Sequence, residues 1–108
     1  MPSETVIVSD ELLEDVKNYL NKDWKLDETS KKSLTGMIKR GIAYLNNVAG
    51  TQLNYENEDI EKSLLLDYCR YADSKALEVF ATNFQPDLLE LNLKYQTTEE
   101  ENSSENKE

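Results

Sequence analysis

The stretch Leu34-Thr35-Gly36-Met37-Ile38-Lys39-Arg40-Gly41-Ile42-Ala43-Tyr44-Leu45-Asn46-Asn47-Val48-Ala49-Gly50, residues 34–50, decides the fold. Leu34, Met37, Ile38, Ile42, Leu45 and Val48 recur three or four positions apart, which is the apolar stripe of an amphipathic helix. Upstream, Asp27 can accept hydrogen bonds from the free amides of a first turn, and Gly50 supplies the left-handed residue that stops a helix. Gly36 and Gly41 lie inside this helix, and each costs about 1 kcal/mol relative to alanine. Close packing against a neighbouring element is the reading that accounts for them.

The same period extends in both directions. Before this helix, Leu12, Leu13, Val16, Tyr19 and Leu20 form a stripe behind Ser9 or Asp10 as N-cap, and a polar connection, Asn21 to Leu26, carries the lone Trp24. After it, a polar loop from Thr51 to Asn57 leads into a third helix predicted from about Glu58 to Thr82. That segment is apolar on more than one face, through Ile60, Leu64, Leu65, Leu66, Tyr68, Cys69, Tyr71, Ala72, Ala76, Leu77, Val79, Phe80 and Ala81. A helix at a bundle surface needs one stripe, so this one is expected either to be central or to meet another subunit. Pro86 suits the first position of a short fourth helix, yet Leu89-Glu90-Leu91-Asn92-Leu93-Lys94-Tyr95 alternates as a strand does. Residues 86–95 are therefore read as a short helix or an extended arm. From Gln96 no apolar residue remains, and a disordered acidic tail is expected over 96–108. The expected fold is all-α: one domain, residues 1–95, built as a small bundle of three main helices plus that short helix or arm.

Composition narrows the function. The 108 residues hold 22 acids and 12 bases, a net charge of −10, of which the last ten residues contribute five glutamates against one lysine. Such a chain repels a phosphate backbone, so sequence-specific nucleic-acid binding is not expected. Histidine is absent, which removes Ser-His and Cys-His catalysis and the commonest transition-metal ligand. One cysteine, Cys69, makes neither a disulfide nor a thiolate zinc site, and on an apolar helix face it reads as a buried, inert thiol. The run Val6-Ile7-Val8 is too short for a signal-peptide core, and Leu64-Leu65-Leu66 falls far below the roughly 20 residues that span a bilayer. The protein is expected to be made in the cytoplasm, without secretion or a membrane span.

Three constellations have the outline of a chemical site. Gly36 and Gly41 have the spacing of a phosphate loop, but Ile42-Ala43 follows where Lys and Ser or Thr would stand. Asn54 to Asp59 alternates oxygen ligands like a calcium loop, without its glycine and with Leu65 at the final acid position. The pairs Glu11/Glu14 and Glu58/Glu61, with Asp15 and Asp67 nearby, have the one-turn spacing that holds magnesium in all-α nucleotide pyrophosphohydrolases. Their place in first turns is equally explained by the helix dipole, as is that of Asp87/Glu90. No catalytic, cofactor or metal residue is assigned, and no enzyme activity is expected. Charge segregation carries more: from Thr29 to Tyr55 there is no acid, while Lys31, Lys32, Lys39 and Arg40 are present. Such a helix suits an acidic surface on a neighbouring chain, a heterologous contact that closes into a ring where the rotation permits.

These residues carry a resemblance. A helix of the form Leu12-Leu13-x-x-Val16-x-x-Tyr19-Leu20 precedes one ending Ile38-Lys39-Arg40-Gly41-Ile42-Ala43-Tyr44-Leu45-Asn46-Asn47-Val48-Ala49-Gly50. A long helix with Ile60, Leu64, Leu65, Tyr68 and Tyr71 follows, then Phe84 and the Leu-rich ending Leu88 to Tyr95. Over Glu11 to Tyr95 the chain resembles the head-tail connector (adaptor) proteins of long-tailed phages and prophages, often labelled DNA-packaging proteins. It departs from them in ending the second helix Ala49-Gly50 in place of Thr-Gly, and in reading Leu93-Lys94-Tyr95 where relatives often carry Leu-Arg. The resemblance implies a virion structural protein at the head-tail interface, forming a homo-oligomeric ring of about a dozen subunits. The ring would dock on the portal, extend the DNA channel and receive the next head-completion or tail protein. The expected interface residues are Lys31, Lys32, Lys39, Arg40, Tyr71, Leu88, Leu89, Leu91, Leu93 and Tyr95. The alternatives are a small acidic regulatory or adaptor protein binding a host or phage protein and, more remotely, the magnesium-dependent pyrophosphohydrolase.

Overall fold

The computed structural model describes residues 8–20 and 27–107, with side chains as far as residue 96. The connection Asn21 to Leu26, Trp24 included, and the run Val6-Ile7 lie outside the described residues. Five α-helices follow in chain order: α1 (Asp10–Tyr19), α2 (Glu28–Ala49), α3 (Ile60–Asp73), α4 (Phe80–Asn83) and α5 (Gln85–Lys107), with a 3₁₀ turn over Leu77–Val79. The fold is all-α, and among the described residues there is no strand.

Local chemistry sets the helix ends. Ser9 is the N-cap of α1, its Oγ accepting from the Leu12 amide at 3.1 Å, and the Asp27 carboxylate accepts from the Ser30 amide at 2.7 Å to start α2. That hydrogen bond holds the Asp27 carboxyl below its ordinary range. Gly50 closes α2 with φ +78°, a conformation that costs a residue bearing Cβ roughly 1–2 kcal/mol. Beyond it, Asn46 Oδ1 accepts from the Leu53 amide and the Tyr55 hydroxyl, pinning the 51–59 loop against the helix it has just left.

The helices α2, α3 and α5 pack on one another, and α1 lies against α2 and α3. One continuous core joins them, from Leu12, Leu13 and Val16 through Ile38 and Leu45 to Leu65, Phe80 and Leu91. Gly41 is where α2 and α3 come closest: a Cβ there would sit 2.8 Å from both Leu65 Cδ1 and Tyr68 Cδ1. The packing reading of Gly41 holds. Gly36 has no such neighbour, the nearest atom being Arg40 Nη1 at 3.5 Å.

The predicted single helix from Glu58 to Thr82 is broken. It starts at Ile60 behind the Asp59 cap and stops at Asp73; Lys75 takes a left-handed φ of +59°, and the Ala76 amide donates back to the Tyr71 carbonyl at 2.8 Å. The turn swings the chain so that Phe80 re-enters the core, 2% exposed, among Tyr44, Tyr68, Tyr71 and Phe84. The surplus of apolar residues in this stretch thus belongs to two short segments folded on one core. Of the two expectations for this stretch, the central position is the one observed: α3 packs on α1, α2 and α5. Leu34, Ile38, Leu45, Leu64 and Tyr68 are buried as the sequence implies, whereas Leu20 and Ala72 are half-buried and Val79 is 41% exposed.

Residues 86–95 form a helix, which excludes the extended arm. Leu88, Leu91 and Tyr95, spaced three and four apart, face the core, while Leu89 and Leu93 face out. A helical stripe overrides the local alternation because α2 and α3 offer a groove for one helix and no strand for pairing. The backbone of α5 continues as helix to Lys107, where composition led to the expectation of a disordered tail. Once residues 85–95 are packed, nucleation has been met, and the continuation needs only propagation.

Candidate docking surfaces

Two ionic hubs tie the helices together, and both use residues read from sequence as first-turn acids. Lys62, almost fully buried, donates to Asp15 Oδ2 of α1 at 2.7 Å and to Glu58 Oε2 at 2.8 Å. Those hydrogen bonds, that to Asp15 first, raise its pKa. Glu61, 4% exposed, accepts from Lys94 Nζ at 2.9 Å and from the Tyr95 hydroxyl, so it fastens α5 to α3. Burial pushes the Glu61 carboxyl up, but the Tyr95 and Lys94 hydrogen bonds outweigh it and leave the group below its ordinary range. Tyr19 donates to Asp67 Oδ1 at 2.6 Å, linking α1 to α3.

Most of these acids have a basic partner within the chain. Glu58 and Glu61 turn to different lysines, Glu14 pairs with Lys17 at 3.7 Å, and Asp15 is held by Lys62. Among the described residues no group of three or more potential ligands could hold a metal ion. Cys69 is fully buried, and burial pushes its thiol up to about 12, far from a reactive thiolate. No described helix is long and apolar enough to cross a membrane.

A buried carboxylate with a lowered pKa stabilises the fold only while it is charged. The contribution of Glu61 is present above the unfolded value of about 4.3 and disappears as pH falls through the lower folded value. Replacing Glu61 with Gln is expected to cost about 1.5–3 kcal/mol at neutral pH, the range for hydrogen bonds to charged groups. Urea melts over a pH series should show the gap between wild type and E61Q narrowing below about pH 4.3; a gap constant with pH would remove the assigned charge.

The expected interface residues separate into two sets. Leu88 and Leu91 are buried in the protein's own core, Tyr95 is half-buried and bound to Glu61, and half-buried Tyr71 accepts a hydrogen bond from Asn83 while its ring packs on Phe80 and Phe84. These four support the fold. Lys31, Lys32, Lys39 and Arg40 are exposed and without ion pairs among the described residues; Lys32, Lys39 and Arg40 lie on the outer side of α2, while Lys31 extends the core stripe of Leu34 and Ile38 at its first turn. Leu89 and Leu93 are 57% and 48% exposed, one turn apart on α5.

Sequence reasoning missed an open groove of about 540 Å³ between α3 and α5. Its floor contains half-buried Ile60, Leu66 and Phe84; its rims carry Glu58, Asp59, Asp67, Asp87 and Glu90, and no basic residue lines it. The acids were visible as first-turn residues, but their convergence depends on α5 folding back beside α3.

The fold and surfaces define an all-α helical bundle with a basic helix face, an acidic groove and an outward pair of leucines. Comparison with known protein families, with curated proteins and with solved structures finds no match to the chain.

Proposed function

We propose that this chain is a non-catalytic docking protein, a subunit of the connector ring between the head and tail of a long-tailed phage. It sits on the portal, extends the DNA channel, and presents a platform to the next head-completion or tail protein. The observation that carries the reading is the division of the surface: four bases along α2, an acid-rimmed groove elsewhere, and Leu89 and Leu93 facing out beyond a core already complete. The order of elements supports it too. The helix ending at Gly50 packs on α3, and the Leu-rich segment closes over both, in the sequence order that carries the connector resemblance, although the long helix of that resemblance ends here at Asp73. A net charge of −10 suits a channel wall that DNA passes without adhering. Because α5 is packed before any partner arrives, binding does not have to supply the ordering entropy that an unfolded arm would need.

Truncation after Gln85 is not a usable test, since it would remove Leu88 and Leu91 from the core. The double substitution Leu89→Asp, Leu93→Asp touches only the outward face. Binding of the purified protein to the portal of its own genome, followed by light scattering and electron microscopy, is expected to weaken at least tenfold in this variant. Burying one leucine side chain contributes about 1.5–3 kcal/mol, and about 1.4 kcal/mol is a factor of ten. The thermal melt should be unchanged. Undiminished recruitment would remove the leucines from the interface, and a wild-type chain that ignores the portal would end the connector reading in favour of the small adaptor.

A further inference from the structure

We propose that the groove between α3 and α5 receives the outer face of α2 from a second copy of this chain. The inference rests on the reading that the protein works by docking, and it supplies the register of one contact.

The groove combines an apolar floor with an acidic rim. Asp87 and Glu90 make no ion pair among the described residues, so their charge is uncompensated on one side of the opening. A fitting occupant has cationic heads on long aliphatic stems: the stems cover Ile60, Leu66 and Phe84 while the heads reach the carboxylates. The outer side of α2 is such a surface, since Lys32, Lys39 and Arg40 stand there in a stretch with no acid from Thr29 to Tyr55.

Lengths agree as well. At 1.5 Å per residue, Lys32 to Arg40 covers about 12 Å of helix, and so does Asp59 to Asp67 along the groove, where those two acids also pair with Lys94 and Arg70 and the unpaired Asp87 and Glu90 stand across from them. The chain cannot satisfy this match by itself. No residue of α2 lines the groove, because α2 packs on α3 and α5 through its apolar side and keeps Lys32, Lys39 and Arg40 turned outward. Complementary faces at different places on one molecule join copies head to tail. A second copy therefore presents Lys32, Lys39 and Arg40, over a matching length, to an opening that no base of its own chain lines.

The test uses the full-length chain alone, without portal, by sedimentation velocity at high protein concentration. In roughly 0.01 M salt, where the Debye length is about 30 Å, the wild type is expected to self-associate, and the association should weaken at about 0.15 M, where it is about 8 Å. Lys39→Glu with Arg40→Glu, and separately Asp87→Lys with Glu90→Lys, should each weaken self-association at least tenfold. All four residues are exposed, so the helical circular-dichroism signal and melt should persist. An equimolar mixture of the two variants should regain association, because each intact face finds its complement and the two reversed faces also match. Introduced cysteines sharpen the geometry: Lys39→Cys and Glu90→Cys chains should form a disulfide with each other and neither with itself, Cys69 being buried. A wild type that stays monomeric throughout, association insensitive to either reversal, or a mixture no better than its components would each overturn the proposal. Portal recruitment through Leu89 and Leu93 is measured separately, so these failures leave the connector reading standing, and the loss of recruitment leaves this contact standing.

Discussion

Replacing Phe80 with alanine is expected to cost about 3–5 kcal/mol, the range for deleting a buried aromatic side chain. The ring is 2% exposed and lies within 6.0 Å, centroid to centroid, of Tyr44 on α2, Tyr68 and Tyr71 on α3, and Phe84 just after α4. Its removal would leave a void that no neighbour can fill, since Tyr71 is also anchored through Asn83 and Tyr68 is wedged against Gly41. Domains of this kind hold only about 5–15 kcal/mol of total stability, so the variant should approach the edge of folding. A urea titration should show the midpoint falling with little change in slope. Val79→Ala is the control, since Val79 is 41% exposed and should cost within about 0.5 kcal/mol. On an unbroken helix from Glu58 to Thr82, with Val79 in the core, the two substitutions would have cost comparable amounts. Their ratio therefore reports the turn at Lys75 directly.

That turn marks where sequence reasoning failed, and the reason is physical. Helix ends are legible when a residue type is suited to the end itself: Ser9 and Asp27 accept from free amides, and Gly50 adopts positive φ without strain. The end of α3 has no such mark. A lysine occupies the left-handed position, and the stop is enforced by Phe80 finding its pocket among rings distant in sequence, which no local pattern encodes. The same limit applied to residues 89–95, where alternation and helical spacing coexist and only the surface offered by α2 and α3 decides between them.

The polar hubs were partly legible. Glu61 continues the stripe Leu65-Cys69 one turn earlier, and Lys62 lies one turn before Leu66 and two before Cys69, so both stand on or beside the buried side of α3. Assigning those acids to the helix dipole missed that a charge placed on a core stripe must find a partner across the interface. The basic side of α2 was legible because its acids are absent over a long stretch. The groove was not, since its rims come from segments that meet only after the chain has turned at Lys75 and again before Gln85.

The two glycines within α2 are expected to respond differently to substitution. Gly36→Ala should stabilise by up to about 1 kcal/mol, because alanine is the better helix former and an added Cβ would meet only the tip of Arg40 at 3.5 Å. Gly41→Ala gains the same propensity but drives Cβ to 2.8 Å from Leu65 Cδ1 and from the Tyr68 ring. Neither neighbour can yield cheaply: Leu65 is fully enclosed, and the Tyr68 ring is packed against Tyr44 and Phe80. Overpacking of this kind costs about 1–3 kcal/mol, which cancels or exceeds the gain, and Gly41→Leu should reach about 3 kcal/mol or more. Chemical denaturation of the three variants beside wild type reads all three signs. Gly41→Leu should also weaken self-association beyond its effect on stability, because α2 cannot move away from α3 without displacing Lys39 and Arg40, the residues immediately before it. A stabilised Gly41→Ala would mean that α2 and α3 are not in close contact at this point, and the register of the basic face against the rest of the bundle would have to be redrawn.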